Sequence, residues 1–212
     1  MTRAVRRISA GAVAVLVWLS AARDASAHDR GVIVRVYNTY GVSDHTARTA
    51  ADTVRRLFRD AGIETRWRYC RVVGRRTPLE RDPCSDSLKA NELIVRIVAG
   101  APLPPGDATM SLGDAFIDPA TKAGALATVY ADRVEATAVA LGTDVGTMAG
   151  RAIAHELGHL LLGSQTHTAA GLMRAVWHSA TVLRSEEADW LFTPEQRTVM
   201  RVSVATRLAE PR

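Results

Sequence analysis

His155-Glu156-Leu157-Gly158-His159 is the stretch of this 212-residue chain that most strongly constrains its fold and its chemistry. An α-helix has about 3.6 residues per turn, so positions i and i+4 lie on one face. His155 and His159 can therefore direct both imidazoles at one metal ion. Glu156 lies about 100° round the same helix, close enough to hydrogen-bond a water on that metal. Two histidines and a glutamate in this order on a helix predict a zinc site that activates water.

The residues that follow the pentapeptide strengthen this interpretation. Leu160, Leu161 and Leu162 continue an apolar helix. Gly163 can adopt the left-handed conformation that ends a helix without steric cost. Beyond that turn, His167 is well placed to return to the metal as a third nitrogen ligand.

In these features the chain resembles the metzincin clan of zinc endopeptidases, over roughly residues 125–205. The signature of the clan is an HExxH helix, a glycine turn, a third histidine and a tight turn that carries a methionine beneath the metal. Gly171-Leu172-Met173-Arg174 resembles that Met-turn, whereas the ordinary interpretation of Met173 is a core methionine. The spacing differs from the clan's pattern, because two extra residues separate His159 from His167.

The resemblance implies a catalytic zinc site with one Zn²⁺ per chain. His155, His159 and His167 would be the ligands, and Glu156 would be the general base. The expected reaction is hydrolysis of a peptide bond in a peptide or protein substrate.

The third metal ligand has alternatives later in the chain. The gluzincins, a sister group, use a glutamate on a later helix, and Glu186, Glu187 and Asp189 lie in range. The ordinary interpretation of this acidic cluster is a solvated helix face. His178, which follows Trp177, is the remaining candidate, and its ordinary interpretation is an exposed or hydrogen-bonded histidine.

Residues 1–27 have the pattern of an export signal. Arg3, Arg6 and Arg7 form a basic start, an apolar run extends over residues 8–22, and residues 25–27 end in the A-x-A pattern of a cleavage site. The apolar run is shorter than the about 20 residues of a membrane span, so we expect cleavage and no stable membrane insertion, with an uncleaved anchor as the alternative. The mature chain, residues 28–212, is long enough for one domain, and it would be secreted or periplasmic.

Cys70 and Cys84 are the two cysteines of the chain. An even number in an exported protein predicts a disulfide bond, and a loop of this length would contribute about 3 kcal/mol on the chain-entropy model. Metal ligation and free thiols are the alternatives. Neither cysteine has a histidine neighbour or a CxxC partner, which favours the disulfide.

The charge of the chain gives little support to a nucleic-acid partner. The formal net charge is +5, and about +2 remains once the signal segment is removed. The only lysines are Lys89 and Lys122, and the arginines form no basic stripe interleaved with aromatic residues. We therefore expect no nucleic acid among the partners.

The first third of the mature chain predicts a β-α-β unit. Residues 32–37 are β-branched and aromatic, as in a strand. Ser43 or Asp44 can cap the helix that follows, which has one buried stripe and is ended by Gly62. Residues 63–69 form the next strand, and such a unit predicts parallel, right-handed pairing. The near-continuous apolar run at 93–99 predicts a central strand.

The C-terminal half completes an α+β pattern. Residues 125–130 predict a short strand immediately before the zinc helix, which Thr143 or Asp144 can cap. The metzincin resemblance implies that this strand is the edge of the sheet and pairs with extended substrate. The last helix has a strong start at Thr193, with a capping box, and reaches about Leu208.

The sequence therefore predicts one α+β domain, with a small mixed sheet, a zinc helix and a C-terminal helical subdomain. Its predicted function is that of a secreted zinc metallopeptidase. Two other functions stay open: an amidase or esterase acting on a non-peptide substrate, and a zinc-stabilised binding module without turnover.

Overall fold

The computed structural model describes residues 31–71, 82–101, 111–177, 179–184 and 187–210. The predicted signal segment, His178 and Glu186 lie outside the described residues. The elements in chain order are β1 (Gly31–Asn38), α1 (Asp44–Asp60), β2 (Glu64–Tyr69), β3 (Glu92–Val98), β4 (Gly113–Asp118), β5 (Ala123–Tyr130), α2 (Ala131–Ala140), α3 (Val145–Leu162), α4 (Ser179–Arg184), a 3₁₀ turn (Glu187–Trp190) and α5 (Pro194–Ala209).

Within the described residues the strands form one mixed sheet in the order β2-β1-β3-β5-β4. The first four of these pair in parallel, and β4 pairs antiparallel with β5. The β1-α1-β2 unit is parallel and β3 is central, as the sequence predicts. The predicted α+β class with a small mixed sheet is therefore confirmed.

The predicted edge strand is wrong. Strand β5 lies inside the sheet, and β4 forms the edge. The short turn at residues 119–122 folds β4 back as a hairpin on the outer side of β5. The strand is also not adjacent to the zinc helix, because α2 lies between them. Helix α2 has no side-chain cap at Tyr130, so its start carries no sequence signal.

One hydrophobic core joins the sheet to the helices. Alternate residues of β1 are buried (Val32, Val34 and Val36), and Val54 and Phe58 of α1 belong to the same core. Ser43 caps α1 by accepting a hydrogen bond from the Thr46 amide. Burial of each large apolar side chain stabilises the fold by about 1.5–3 kcal/mol.

Helix α3 is the central element of this core. Asp144 caps its start by accepting from the Thr147 amide at 2.7 Å, and Gly163 ends it with a left-handed φ of 62°. Almost every residue from Gly146 to Leu161 is buried. A helix that is covered on all sides is held by its neighbours, and the side chains it carries are therefore fixed in position.

The C-terminal segment packs back on the first half of the domain. Thr193 and Gln196 form the predicted capping box at the start of α5. The rings of Phe58 and Phe192 meet edge to face at 5.5 Å between centroids. Near the end of α5, Arg207 donates to the Gly124 carbonyl at 2.7 Å. None of the described helices is both long enough and apolar enough to cross a bilayer.

Cys70 and Cys84 are joined in a disulfide bond, as the sequence predicts. The bond ties the segment that precedes β3 to the end of β2. Buried Arg35 of β1 supports the same segment, since it donates to the carbonyl of Asp86 at 2.8 Å and pairs with buried Glu92.

Candidate active site

Three histidines converge at the C-terminal half of α3. His155 and His159 lie one turn apart on the helix, and His167 follows on the loop after Gly163. The Nε2 atom of His155 lies 3.0 Å from Nε2 of His159 and 3.3 Å from Nε2 of His167. All three could hold one metal ion, since their ligand atoms lie within 4.8 Å of one another.

Backbone carbonyls fix the orientation of two of these rings. His155 Nδ1 lies 2.9 Å from the Leu172 carbonyl oxygen, and His159 Nδ1 lies 2.7 Å from the Ser164 carbonyl oxygen. A carbonyl only accepts, so each Nδ1 carries the proton and each Nε2 keeps a lone pair. Two lone-pair nitrogens face each other at 3.0 Å. This arrangement is repulsive unless a cation lies between them.

The donor set fits zinc. Three nitrogens bound tetrahedrally at about 2.0–2.1 Å from one zinc ion stand about 3.3 Å apart, close to the two separations of 3.0 and 3.3 Å measured from His155 Nε2. Imidazole nitrogens suit zinc, whereas calcium and magnesium require oxygen ligands. Three protein ligands also leave one coordination position for water or substrate, as in catalytic zinc sites.

Burial keeps the imidazoles in the form that binds metal. It lowers the pKa of His155 from 6.5 to about 4, with smaller contributions from the neighbouring His159 and His167. Burial also lowers the pKa of His159. His155 therefore stays neutral well into the acidic range, burial acts in the same direction on His159, and neutral imidazole is the form that ligates zinc.

Glu156 lies beside the cluster, against the edge strand. A Cβ built on Gly113 of β4 would lie 2.7 Å from Glu156 Cγ and 2.8 Å from Glu156 Oε1. The strand therefore touches this carboxylate at a position that only glycine can occupy. Burial, and to a lesser extent the charge of Asp114, raises the pKa of Glu156 from 4.5 to about 8. The group can thus both hold and release a proton near neutral pH.

Met173 forms the floor of the site. Its side chain is fully buried, and a Cβ on Gly158 would lie 2.7 Å from Met173 Sδ and 2.8 Å from Phe192 Cε1. Gly158 is one of the variable positions of the HExxH pattern, and here the helix must be bare at that point for Met173 to approach. The Thr168 amide donates to the Met173 carbonyl at 2.8 Å and closes the turn.

Aromatic rings cover the other side of His155. The Trp177 ring meets His155 edge to face at 5.7 Å and Trp190 at 5.2 Å. Trp177 also donates its indole N–H to the Leu172 carbonyl, the group that accepts from His155. The Arg151 guanidinium lies 3.6 Å above the Trp190 ring. Aromatic packing therefore supports the ring orientation of the first histidine.

A cleft of about 610 Å³ contains these groups. One wall is β4 with the residues before it, and the other is the segment that follows the Met-turn. The cleft also extends along α3 toward α2, where its lining is mostly apolar, at Leu112, Thr137, Leu141, Met148 and Ala152. The arrangement could hold a metal ion and a water coordinated to it beside a buried carboxylate, in an open cleft.

The alternative ligands that the structure describes lie elsewhere. Asp189 pairs with Arg174 at 3.4 Å, and Glu187 is exposed on the 3₁₀ turn. Among the described residues, only the three histidines form a group able to hold a metal ion. His178 and Glu186 lie outside the described residues.

Three residues of the cleft carry no signal that the sequence interpretation used. Gly113 touches Glu156 across the cleft, the charge of Asp114 acts on Glu156, and Gln165 reaches the Ala115 carbonyl from the metal loop. Each acts through a partner more than 40 residues away, so no local spacing reveals it. A glycine at the start of a strand was a visible signal for Gly113, but glycine there has many other causes.

No protein-family model and no curated protein sequence matches this chain. Among solved structures, the chain is similar to the crystal structure of archaemetzincin from Methanopyrus kandleri. The TM-score is 0.52 with 12% sequence identity, and the alignment covers 83% of this chain and 97% of the other. The likeness concerns the fold, and it confirms the metzincin-like architecture that the sequence predicts.

Proposed function

We propose that this protein is an exported zinc-dependent peptidase. The observation that carries the proposal is the meeting of three imidazole Nε2 atoms beside the buried carboxylate of Glu156, in an open cleft. The metzincin-like fold supports it, and so does the histidine group that the structure forms at the helix and loop predicted from the sequence.

His155, His159 and His167 would hold the Zn²⁺ ion, one per chain. When bound, zinc lowers the pKa of a coordinated water to about 7 and polarises a carbonyl oxygen. The protein contributes the orientation of the ligands. Hydrogen bonds to the carbonyls of Leu172 and Ser164 hold two of the rings with Nε2 toward the centre.

Glu156 moves the proton of the reaction. Its carboxylate takes a proton from the attacking water and delivers it to the nitrogen of the leaving amine. Burial stabilises the protonated form, so the carboxyl group keeps the proton until the leaving nitrogen accepts it. Gly113 leaves room for this side chain between α3 and β4.

We propose that the protein is located outside the cytoplasm. The basic and apolar pattern of residues 1–27 supports export, and the Cys70–Cys84 disulfide is the kind of bond that persists in an oxidising compartment. Intact-mass measurement of the purified protein, before and after reduction, would show both cleavage after residue 27 and the two hydrogen atoms that the cysteines lack in the disulfide.

The test is digestion of a broad peptide library by zinc-loaded protein, read by mass spectrometry. Cleavage by the wild type, with loss of cleavage in Glu156→Gln at unchanged zinc content, supports the proposal. Zinc-loaded wild type that cleaves no peptide overturns it. Hydrolysis of ester or non-peptide amide substrates would then favour the amidase or esterase, and no hydrolysis at all would favour the binding module.

A further inference from the structure

Gln165 links the two sides of the cleft. It lies on the loop between Gly163 and His167, and its Nε2 donates to the backbone carbonyl of Ala115 on β4. The two residues are 50 positions apart in the sequence. The contact therefore joins the metal loop on one side of the cleft to the edge strand on the other.

The carbonyl that Gln165 occupies faces away from the sheet. The Tyr130 amide donates to the Leu112 carbonyl at 3.0 Å, so the backbone groups of Leu112 point toward β5. In an antiparallel pair this direction alternates from residue to residue. The groups of Gly113 and Ala115 therefore point outward, which is where an added strand would pair.

Side chains of the protein itself donate hydrogen bonds to the outward carbonyls of Gly113 and Ala115. Ser111 Oγ donates to the Gly113 carbonyl, and Gln165 donates to the Ala115 carbonyl. Gly113 is the residue that touches Glu156. Ala115 lies two residues further along the strand, about 6.6–6.8 Å from it, which is the pairing repeat of an extended peptide.

The metal loop does not need Gln165 for its own shape. The Ser164 carbonyl accepts from His159, and the Ser164 and Thr166 hydroxyls bond each other at 2.7 Å. The Thr168 amide is bonded to the Met173 carbonyl. These contacts hold both ends of the loop, and the exposed Gln165 side chain adds only the crossing of the cleft.

We propose that Gln165 is a specificity-determining strap, which closes the β4 edge to extended peptides on one side of Glu156. The inference rests on the proposed peptidase function and names its substrate class. A long chain must displace the carboxamide of Gln165 to pair past Gly113. A short peptide, or the end of a chain, reaches Glu156 without doing so. The site therefore prefers short peptides and chain ends to internal segments.

The strap can be tested by binding, independently of turnover. Zinc-loaded Glu156→Gln protein is immobilised with and without Gln165→Ala and is offered two synthetic pools of random sequence. One pool contains decapeptides with acetylated and amidated ends, and the other contains unblocked tripeptides. The loss of one competing hydrogen bond should raise retention of the decapeptides about five- to tenfold. Retention of the tripeptides should change less than twofold.

Two further variants separate the hydrogen bond from general damage to the loop. Gln165→Glu keeps the length but cannot donate, and it should behave like Gln165→Ala. His45→Ala, a change at an exposed polar residue away from the cleft, is the control and should leave the retention of both pools unchanged. Zinc content near one per chain in every variant shows that the loop is intact.

Equal retention of decapeptides with and without Gln165, including no retention by either, overturns the strap. So does a rise in tripeptide retention that matches the rise in decapeptide retention. The peptidase function is decided separately, by cleavage of the tripeptide pool with Glu156 intact. If Gln165→Ala changes peptide retention as proposed but the protein cleaves no peptide, the peptidase function is refuted and the role of Gln165 in selecting peptides is supported.

Discussion

The two sides of the cleft are built in different ways. Residues 155–174 supply the metal ligands, the loop and the floor, and the contact from His155 to the Leu172 carbonyl spans 17 positions. The opposite side is β4, whose contact with the metal loop spans 50 positions. The side formed by residues 155–174 is set by one helix and the turn that follows it, whereas the opposite side is a sheet edge with alternating buried and exposed residues, set by tertiary packing. The proposed metal site is therefore encoded locally here, and the proposed selection of substrate is encoded at long range.

The largest expected effect on the metal site is the loss of zinc affinity when a ligand is removed. Loss of an outer-shell partner alone lowers metal affinity about 10–100-fold, so His155→Ala or His159→Ala should lower zinc affinity by more than 100-fold. His167→Ala should also weaken binding strongly. Zinc content measured after dialysis against a chelator series checks this, with the exposed His45→Ala as the control. Zinc retention in His167→Ala together with its loss in Glu187→Ala would contradict the three-histidine site.

Glu156→Gln should remove hydrolysis while it leaves zinc binding unchanged. The amide keeps the shape but loses the basic site, so the rate of hydrolysis should fall about 10²–10⁴-fold. Zinc content should stay near one per chain. Glu187→Gln, a change at an exposed carboxylate, is the matched control and should keep full activity. Undiminished cleavage by Glu156→Gln would exclude this residue as the base.

The pH dependence of stability tests the contact between the two sides of the cleft, because Glu156 belongs to the side that carries the metal ligands and touches Gly113 of β4. Its pKa in the folded, metal-free protein is raised from 4.5 to about 8. The folded state thus holds a proton that the unfolded chain releases, and this contribution is lost as the pH rises from about 4.5 to 8. A shift of this size corresponds to a free energy on the order of 5 kcal/mol.

Urea unfolding of metal-free wild type and Glu156→Gln at several pH values measures this effect. The variant does not titrate at this position, so its advantage in the free energy of unfolding should grow with pH and level off above about pH 8. The opposing contribution of His155, whose pKa is lowered to about 4, is present in both proteins. A difference that does not change with pH would show that Glu156 titrates normally in the folded state.

The smallest effect is expected from Gly158→Ala, which should lower the stability of the fold. The added methyl group on α3 would collide with Met173 beneath the metal site. The new Cβ would lie 2.7 Å from Met173 Sδ. Overpacking of a core typically costs about 1–3 kcal/mol, and the melting temperature should fall accordingly. A melting temperature that does not fall in Gly158→Ala would mean that Met173 and Phe192 give way freely.

The sequence predicts the elements that depend on local contacts, and it does not predict those that depend on contacts between distant residues. Helix α3 is predictable because Asp144, the two histidines and Gly163 act within the helix itself. The start of α5 is predictable because the capping box of Thr193 and Gln196 is local. The β4 edge is not, since the position of a hairpin in a sheet depends on which neighbour it meets. Gln165 is a polar residue in a loop, and its role depends on a strand 50 positions earlier.

The carbonyls of Leu172 and Ser164, which orient two of the ligands, have a consequence for mutational tolerance. Many zinc sites orient a histidine with a carboxylate side chain, and a single codon change removes that support. Here the acceptor is the main chain, which every amino acid possesses. No side-chain replacement at these two positions deletes the acceptor itself, so the coordination geometry can persist while the surrounding sequence drifts. Substitutions at Leu172 and Ser164 should therefore affect zinc binding less than loss of a carboxylate partner affects other zinc sites.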